Sequence, residues 1–254
     1  YIKMSALKDK KIMVLDTEFE TIPKKRIISL AYIIYKNNKR ILKKSRYIKY
    51  HPKIFKVDES GYAFKYHKLT NEFLQENGKS LDYVLNNFFK DLKDVDIIVG
   101  QNIITADIQL IRKESIGVNI WFDKIRPKIQ QIKIYDTMKA FKKAYPKKNY
   151  KLNDIYKDLF DEEMKDHHKA IYDCKNTYKC FYKMFNDNNF NFINNNINFA
   201  EDYYEESKED KIRCSLCENK IYGNTFKYKS DEFKININDK NFEIINSKYL
   251  NKND

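Results

Sequence analysis

The sequence predicts an α/β fold in which a mixed β-sheet is flanked by helices, with a small β-rich appendage toward the C-terminal end. Short, wholly apolar runs at residues 12–15 and 97–99 are typical of strands buried on both faces. Between and after these runs, apolar side chains recur at helical spacing. Beyond residue 186 the composition changes to an Asn-rich and then a charged segment, which indicates a linker.

Three strands open the predicted sheet, at residues 11–16, 26–36 and 40–50. Asn37-Asn38 lies between the second and the third, and this dipeptide favours a tight hairpin turn. We therefore expect three consecutive antiparallel strands. A further buried strand is predicted at residues 96–99, where Gly100 closes the apolar run.

The helices are predicted from caps and apolar stripes. Residues 51–79 are polar and irregular, with a short helix ending at Gly78, and Ser80 then caps a longer helix. Its stripe is Leu81, Val84, Leu85, Phe88, Phe89 and Leu92. Further helices are expected within 101–111, from Asp136 after a loop containing Pro127, over 152–159, and after His168 to near Phe185. Ala170, Cys174, Thr177 and Phe181 form the inner stripe of the last.

The composition favours a soluble, intracellular protein with a polyanionic partner. The 254 residues are 42% hydrophobic and carry a formal net charge of +13. A basic excess favours nucleic acid before a membrane, because no basic amphipathic helix stands out. A genome bias toward Lys, Asn, Ile and Tyr explains the same charge equally well. The apolar runs are far too short to cross a bilayer, and no targeting segment opens the chain.

We expect three regions along the chain: a folded α/β domain at 1–186, an Asn-rich and charged linker at 187–211 and a small β-rich appendage at 212–254. Alternating patterns at 224–229, 232–237 and 241–245 predict the strands of the appendage.

Four cysteines divide into two pairs of different character. Cys174 and Cys180 lie in a helical pattern and are predicted to be core thiols. Cys214 and Cys217 form a Cys-x-x-Cys motif, which is half of a tetrahedral Zn²⁺ site. No second Cys pair or His pair follows, so we expect a tight turn with two free thiols and no structural Zn²⁺ unless ligands from elsewhere in the chain or from another chain complete the site.

Two carboxylates leave the end of the first buried strand together. Asp16 and Glu18 are two residues apart, so on a strand their side chains point to the same side. Like charges held this close repel unless a cation neutralises them. Open α/β sheets place ligands at this end of their strands. Taken alone, the pattern also fits a strand that runs into a polar turn.

Two more acids and a histidine fall on or near buried helix faces. Asp107 follows the second apolar run and shares helical spacing with Leu110 and Ile111, although a different helix phase places it in solvent. Asp173 neighbours the predicted inner stripe of the last helix. His168 lies just before that helix, where a surface or capping histidine is the ordinary interpretation.

Together these segments resemble the DEDDh (DnaQ-like) family of 3′–5′ exonucleases, a branch of the RNase H-like fold. The resemblance covers about residues 10–186, and its three motifs occur in the family's order. The motifs are Asp16-Thr17-Glu18, Val99-Gly-Gln-Asn-Ile-Ile-Thr-Ala-Asp107 and His168-Lys-Ala-Ile-Tyr-Asp173. Two departures are visible. Gln101 replaces the usual His before Asn102, and Phe19-Glu20-Thr21 stands where the family often has Thr-Thr-Gly.

The resemblance implies the catalytic groups and their metal ions. Asp16, Glu18, Asp107 and Asp173 are expected to hold two Mg²⁺ or Mn²⁺ ions, whose preferred ligands are hard oxygens. His168 is expected to be the general base, since a pKa near 6.5 suits proton abstraction at neutral pH. Substrate contacts are expected from Thr17, Phe19 and Asn102.

The resemblance also implies the reaction, which is hydrolysis of the phosphodiester at a 3′ end with release of nucleoside 5′-monophosphates. Single-stranded DNA is the favoured substrate. Two alternatives stay open: a 3′–5′ exoribonuclease in RNA processing or decay, and a non-catalytic nucleic-acid-binding module on the same fold.

Overall fold

The computed structural model of the protein describes residues 7–21, 25–146, 149–164, 169–186, 234–237 and 242–245. The chain divides into two compact units, Tyr1–Tyr50 with Phe55–Ile197 and His51–Ile54 with Asn198–Asp254. In the second unit, two strands within the predicted appendage pair antiparallel, Lys234–Ile237 and Phe242–Ile245. The predicted strand at 224–229, His168, Cys214 and Cys217 lie outside the described residues. The boundaries drawn at 186 and 211 stay predictions.

The first unit is built on a five-stranded mixed sheet with the order β3-β2-β1-β4-β5. The strands are β1 Lys11–Glu20, β2 Arg26–Lys36, β3 Lys39–Tyr47, β4 Ile97–Gly100 and β5 Lys133–Asp136. β1, β2 and β3 pair antiparallel, whereas β4 pairs parallel to β1 and β5 parallel to β4. The predicted fold class is confirmed.

Eight helices are described around this sheet. They are α1 Phe64–His67, α2 Asn71–Asn77, α3 Leu81–Leu92, α4 Asp107–Gly117, α5 Arg126–Gln131, α6 Thr137–Ala144, α7 Leu152–Phe160 and α8 Ala170–Asn186. The Ser80 cap is confirmed, because its side chain accepts a hydrogen bond from the backbone N–H of Tyr83. Among the helices of the described residues, none combines the length and the apolar character needed to cross a membrane.

Three local predictions are wrong. The sequence patterns missed β5, a strand of only four residues that is recognisable mainly through its pairing with β4. The predicted loop around Pro127 is a π-helical turn, Trp121–Ile125, followed by α5, and a proline in the first turn of a helix costs no hydrogen bond. The helix predicted within 101–111 begins only at Asp107, because Asn102 (φ 56°) and Ala106 (φ −111°, ψ −84°) both depart from helical backbone geometry.

The sheet is covered on both faces. On one face, Tyr178 of α8 stacks on Tyr35 of β2, and the Cys174 thiol of the same helix donates to the Ala31 carbonyl. On the other face, Phe88 of α3 packs edge-on against Tyr32. Cys174 and Cys180 are buried as predicted. The carboxyl ends of β1 and β4 therefore lie between two helical layers, and the polar residues that follow these strands are brought to one edge.

Candidate active site

Three of the predicted acids meet where β1 leaves the parallel part of the sheet. β1 pairs with β4 up to Val14 opposite Val99, and Asp16 and Glu18 follow directly. These two side chains lie on the β1 face that packs against α8, which begins at Ala170 and carries Asp173. One oxygen from each of Asp16, Glu18 and Asp173 lies within 4.8 Å of the others, and each residue is partly exposed. We call this group the carboxylate cluster.

Asp107 reaches the same edge from the other helical layer. It is the first residue of α4 and is 4% exposed. Its Oδ1 accepts hydrogen bonds from the Thr17 backbone N–H (2.9 Å) and from the Thr17 hydroxyl (2.6 Å). Asp107 is not one of the three acids within 4.8 Å, but its buried position agrees with the sequence prediction. Thr17, expected at the substrate, turns its hydroxyl toward this carboxylate.

Electrostatic repulsion among the acids, together with burial, raises their pKa values. Burial, together with repulsion from Asp107, Glu18 and Asp173, raises the pKa of Asp16 well above its ordinary value. Burial and the charges of Asp173 and Asp107 raise the pKa of Glu18 to about 7, although a backbone hydrogen bond from Ala170 opposes the rise. Burial raises the pKa of Asp107 to about 6, while the hydrogen bonds from Thr17 act in the opposite direction.

The donor set fits divalent cations. Within the described part of the chain, no Lys or Arg forms an ion pair with Asp16, Glu18 or Asp107. Glu18 Oε1 is buried and accepts no hydrogen bond from a described residue, although a buried carboxylate oxygen without a donor is costly. Converging hard oxygens of like charge are the ligands that Mg²⁺ and Mn²⁺ prefer, so the site can hold either ion.

Asp136, which the sequence patterns placed only at a helix start, fastens the loop that leads to Asp107. It is fully buried at the end of β5 and accepts backbone hydrogen bonds from Asn102 (3.2 Å), Ile104 (3.3 Å) and Lys139 (3.1 Å). The last of these caps α6. Asn102, predicted to contact substrate, is partly exposed, and its side-chain oxygen accepts from Thr105. The position of Asp136 at the end of a strand is the sequence signal for this role, but the sequence patterns do not predict β5.

The segment that departs from the family pattern ends in a buried acid–imidazole pair. Glu20 Oε2 lies 3.7 Å from His67 Nε2, and each side chain is 1% exposed. His67 Nδ1 accepts from the Leu69 N–H (3.0 Å), so the neutral ring carries its proton on Nε2, toward Glu20. Burial lowers the pKa of His67. Phe19 is partly exposed, with the Lys25 ammonium 4.3 Å from the centre of its ring.

Known proteins match this chain at the level of family and fold. A family model for exonucleases, RNase_T, matches residues 13–181. A search of curated proteins returned no match. Solved structures of exonuclease I are similar: that of Methylocaldum szegediense at 16% identity and TM-score 0.56, covering 70% of this chain and 42% of that one. E. coli exonuclease I in complex with a dT13 oligonucleotide matches at 13% identity and TM-score 0.55, covering 69% and 40%.

Exonuclease X in complex with 5′ overhanging duplex DNA matches at 15% identity and TM-score 0.52, covering 71% of this chain and 94% of that one. The chain thus spans about two fifths of the exonuclease I chains and nearly all of exonuclease X. At these identities the structural likeness concerns the fold. The family match spans more than half of the chain and every predicted acid from Asp16 to Asp173. The chain therefore belongs to the DEDDh (DnaQ-like) exonuclease family, on the RNase H-like fold.

Proposed function

We propose that the protein is a metal-dependent 3′–5′ exonuclease that hydrolyses the terminal phosphodiester of single-stranded nucleic acid, DNA in preference to RNA, and releases nucleoside 5′-monophosphates. One observation carries the proposal: Asp16, Glu18 and Asp173 converge within 4.8 Å at a sheet edge, inside the segment matched by the exonuclease family model. A cluster of acids with raised pKa values in a partly exposed site is characteristic of a functional centre.

The four acids would hold two Mg²⁺ or Mn²⁺ ions, with Asp16 as the shared ligand. Two such ions, when bound, supply charge stabilisation for a phosphodiester transition state and lower the pKa of water. The protein contributes a prearranged set of ligands. Thr17 fixes one oxygen of Asp107 with two hydrogen bonds, and the Ala170 N–H orients Glu18. Phe19 and Asn102, both partly exposed, are proposed to contact the substrate.

We assign His168 as the general base that accepts a proton from the attacking water. The support for this role is its place in the third motif, five residues before Asp173, and the ordinary pKa of imidazole. His168→Ala is expected to lower turnover strongly while divalent metal still raises the melting temperature. Unchanged turnover would remove His168 from the mechanism.

The preference for single-stranded DNA rests on two supports. Exonuclease I, which shares the fold, is described in complex with a dT13 oligonucleotide. The net charge of +13 favours a polyanion. RNA is the alternative substrate, since discrimination between DNA and RNA depends on contacts to the 2′-hydroxyl.

The test is digestion of matched single-stranded DNA, single-stranded RNA and duplex, each labelled at the 5′ end, with Mg²⁺ or Mn²⁺. The proposal predicts a ladder that shortens from the 3′ end, fastest on single-stranded DNA, and its loss in Asp16→Ala. Binding without cleavage in excess Mn²⁺ would instead identify a non-catalytic binding module. Cleavage that persists in Asp16→Ala would indicate a contaminating nuclease and would contradict the assignment of the carboxylate cluster as the catalytic site.

A further inference from the structure

A pair of exposed tyrosines lies at α1 and in the turn just before it, beside the end of β1. Tyr62 is 72% exposed and Tyr66 is 41% exposed, although large aromatic side chains are ordinarily well covered. Their ring centres are 5.0 Å apart, with an angle of 63° between the rings. A 2.6 Å hydrogen bond joins the two hydroxyls. The two rings thus form one preorganised aromatic surface, which we call the tyrosine platform.

The platform is fixed relative to the carboxylate cluster. His67, the residue after Tyr66, is buried and lies 3.7 Å from Glu20. Glu20 in turn follows Glu18 by two residues on β1, a separation of about 7 Å along a strand. Because α1 is anchored by its one buried residue, the flanking rings and charges face solvent while keeping a set distance from Glu18.

Two exposed lysines next to the platform could contact phosphate groups. Lys65 on α1 and Lys68 directly after it are both exposed, and the Lys68 ammonium lies 5.7 Å from the Phe64 ring centre. Two acids also lie just before Tyr62, and hydrogen bonds hold both within the preceding loop: Asp58 accepts from Ser60, and Glu59 accepts from Asn71. Aromatic rings interleaved with exposed lysines are a usual means by which proteins hold unpaired nucleotides, with bases stacked on the rings and phosphates near the ammonium groups.

We propose that Tyr62 and Tyr66, with Lys65 and Lys68, form a stacking site for unpaired nucleotides upstream of the substrate's 3′ end. The inference rests on the proposed function, since it assumes that the 3′ end enters the carboxylate cluster. The affinity for single-stranded nucleic acid should therefore increase with its length, because only longer strands place nucleotides at the tyrosine platform. Stacking uses the base faces, so the site takes DNA and RNA alike and sets length preference without setting the choice of sugar.

The test is a binding cycle between the rings and individual bases. Anisotropy of a 5′-labelled single-stranded DNA oligonucleotide is measured on Asp16→Asn, which prevents hydrolysis, with and without Tyr62→Ala/Tyr66→Ala. Oligonucleotides carrying one abasic position at a time, starting from the 3′ end, complete the cycle. An abasic nucleotide at the stacked position should weaken binding by about tenfold when the tyrosines are present and leave it unchanged when they are absent.

Tyr83→Ala is the matched control, because Tyr83 is 49% exposed on α3 and not on α1. It should bind like its parent, and Tyr62→Phe/Tyr66→Phe, which keeps the rings, should retain most of the affinity. The inference is overturned if every abasic position costs the same with and without the tyrosines, or if Tyr83→Ala weakens binding as much as the platform variant. The cycle measures binding only, so it remains decisive even if the wild-type protein proves not to shorten 3′ ends.

Discussion

Two buried carboxylates lie on one helix, seven residues apart, and their surroundings are opposite in charge. Glu114, near the end of α4, is 2% exposed and pairs with the Arg26 guanidinium at 2.9 Å. It also accepts from the Ile27 N–H at 3.2 Å and from the Tyr50 hydroxyl at 3.4 Å. Asp107, at the start of the same helix, is similarly buried but faces other acids, and Thr17 donates two hydrogen bonds to its Oδ1.

The difference separates a structural charge from a functional one. The Arg26–Glu114 pair is neutral as a unit and its oxygens are satisfied, so it joins β2 to α4 without needing a ligand. The acids around Asp16 are mutually repulsive, and Glu18 Oε1 has no described donor. This repulsion lowers the stability of the folded protein, and under the proposed function bound divalent cations would offset it. Substitutions at the two centres should therefore change stability in opposite directions.

The largest effect is expected at Asp16. Asp16→Asn removes one ligand and its charge, so exonuclease turnover should fall by about a thousandfold or more, the equivalent of several kcal/mol of charge stabilisation. The same change relieves repulsion within the cluster and should raise the melting temperature of metal-free protein by about 2–4 °C. Calorimetry and the 3′-end assay on one preparation check both. A lower melting temperature with intact turnover would contradict the cluster's assigned role.

At Glu114 the sign of the stability change reverses. Glu114→Gln leaves the buried Arg26 guanidinium without its counter-charge and should cost about 3–5 kcal/mol of unfolding free energy, measured by urea denaturation. The double variant Arg26→Met/Glu114→Leu removes both charges and should recover much of this loss. An unchanged unfolding free energy in Glu114→Gln would show that the Arg26–Glu114 pair does not stabilise the fold.

A smaller effect is expected at Thr17, because it acts through Asp107. Thr17→Val removes the hydroxyl donor but keeps the backbone N–H, so turnover should fall by about 10–100-fold, the usual cost of losing a residue that orients a metal ligand. Thr17→Ser is the matched control and should stay near wild type. Equal activity in Thr17→Val and Thr17→Ser would mean that the backbone N–H alone positions Asp107.

The smallest effect is on the pH dependence of stability without metal. The pKa values of Glu18 and Asp107 rise to about 7 and about 6, so the folded protein holds these protons more tightly than the unfolded chain. Their contribution to stability is therefore greatest below about pH 4 and is lost as pH rises toward pH 7. Glu18→Gln should flatten this fall in melting temperature between pH 4 and pH 7. A curve identical to the wild-type curve would exclude Glu18 as a titrating group.

Local sequence patterns predicted the elements that carry their own signals. The apolar run at residues 12–15, the Ser80 cap and the hairpin at Asn37-Asn38 each depend on neighbours in sequence, and all three appear in the structure. β5 was missed because its four residues become a strand through pairing with β4, a partner more than thirty positions away. Because β5 is not predicted, the role of Asp136 at its end is not predicted either, although Asp136 accepts hydrogen bonds that shape the loop before Asp107.

At the site, sequence patterns identified the acids but not how they are held. Residue type and family spacing pointed to Asp16, Glu18, Asp107 and Asp173, and the structure brings three of them into one cluster. The role of Thr17 depends on a hydrogen bond that spans ninety positions, which no local pattern encodes. Glu20 was visible only as a departure from the family, and its partner His67 emerged only from the fold.

The central claim is that repulsion among Asp16, Glu18, Asp107 and Asp173 is relieved by divalent cations. Its most direct test is the melting temperature of the wild type, Asp16→Asn and Glu114→Gln, each with and without saturating Mn²⁺. We predict that Mn²⁺ raises the melting temperature of the wild type and of Glu114→Gln but not of Asp16→Asn. An equal rise in Asp16→Asn, or no rise in the wild type, would contradict the claim that this cluster is the metal site.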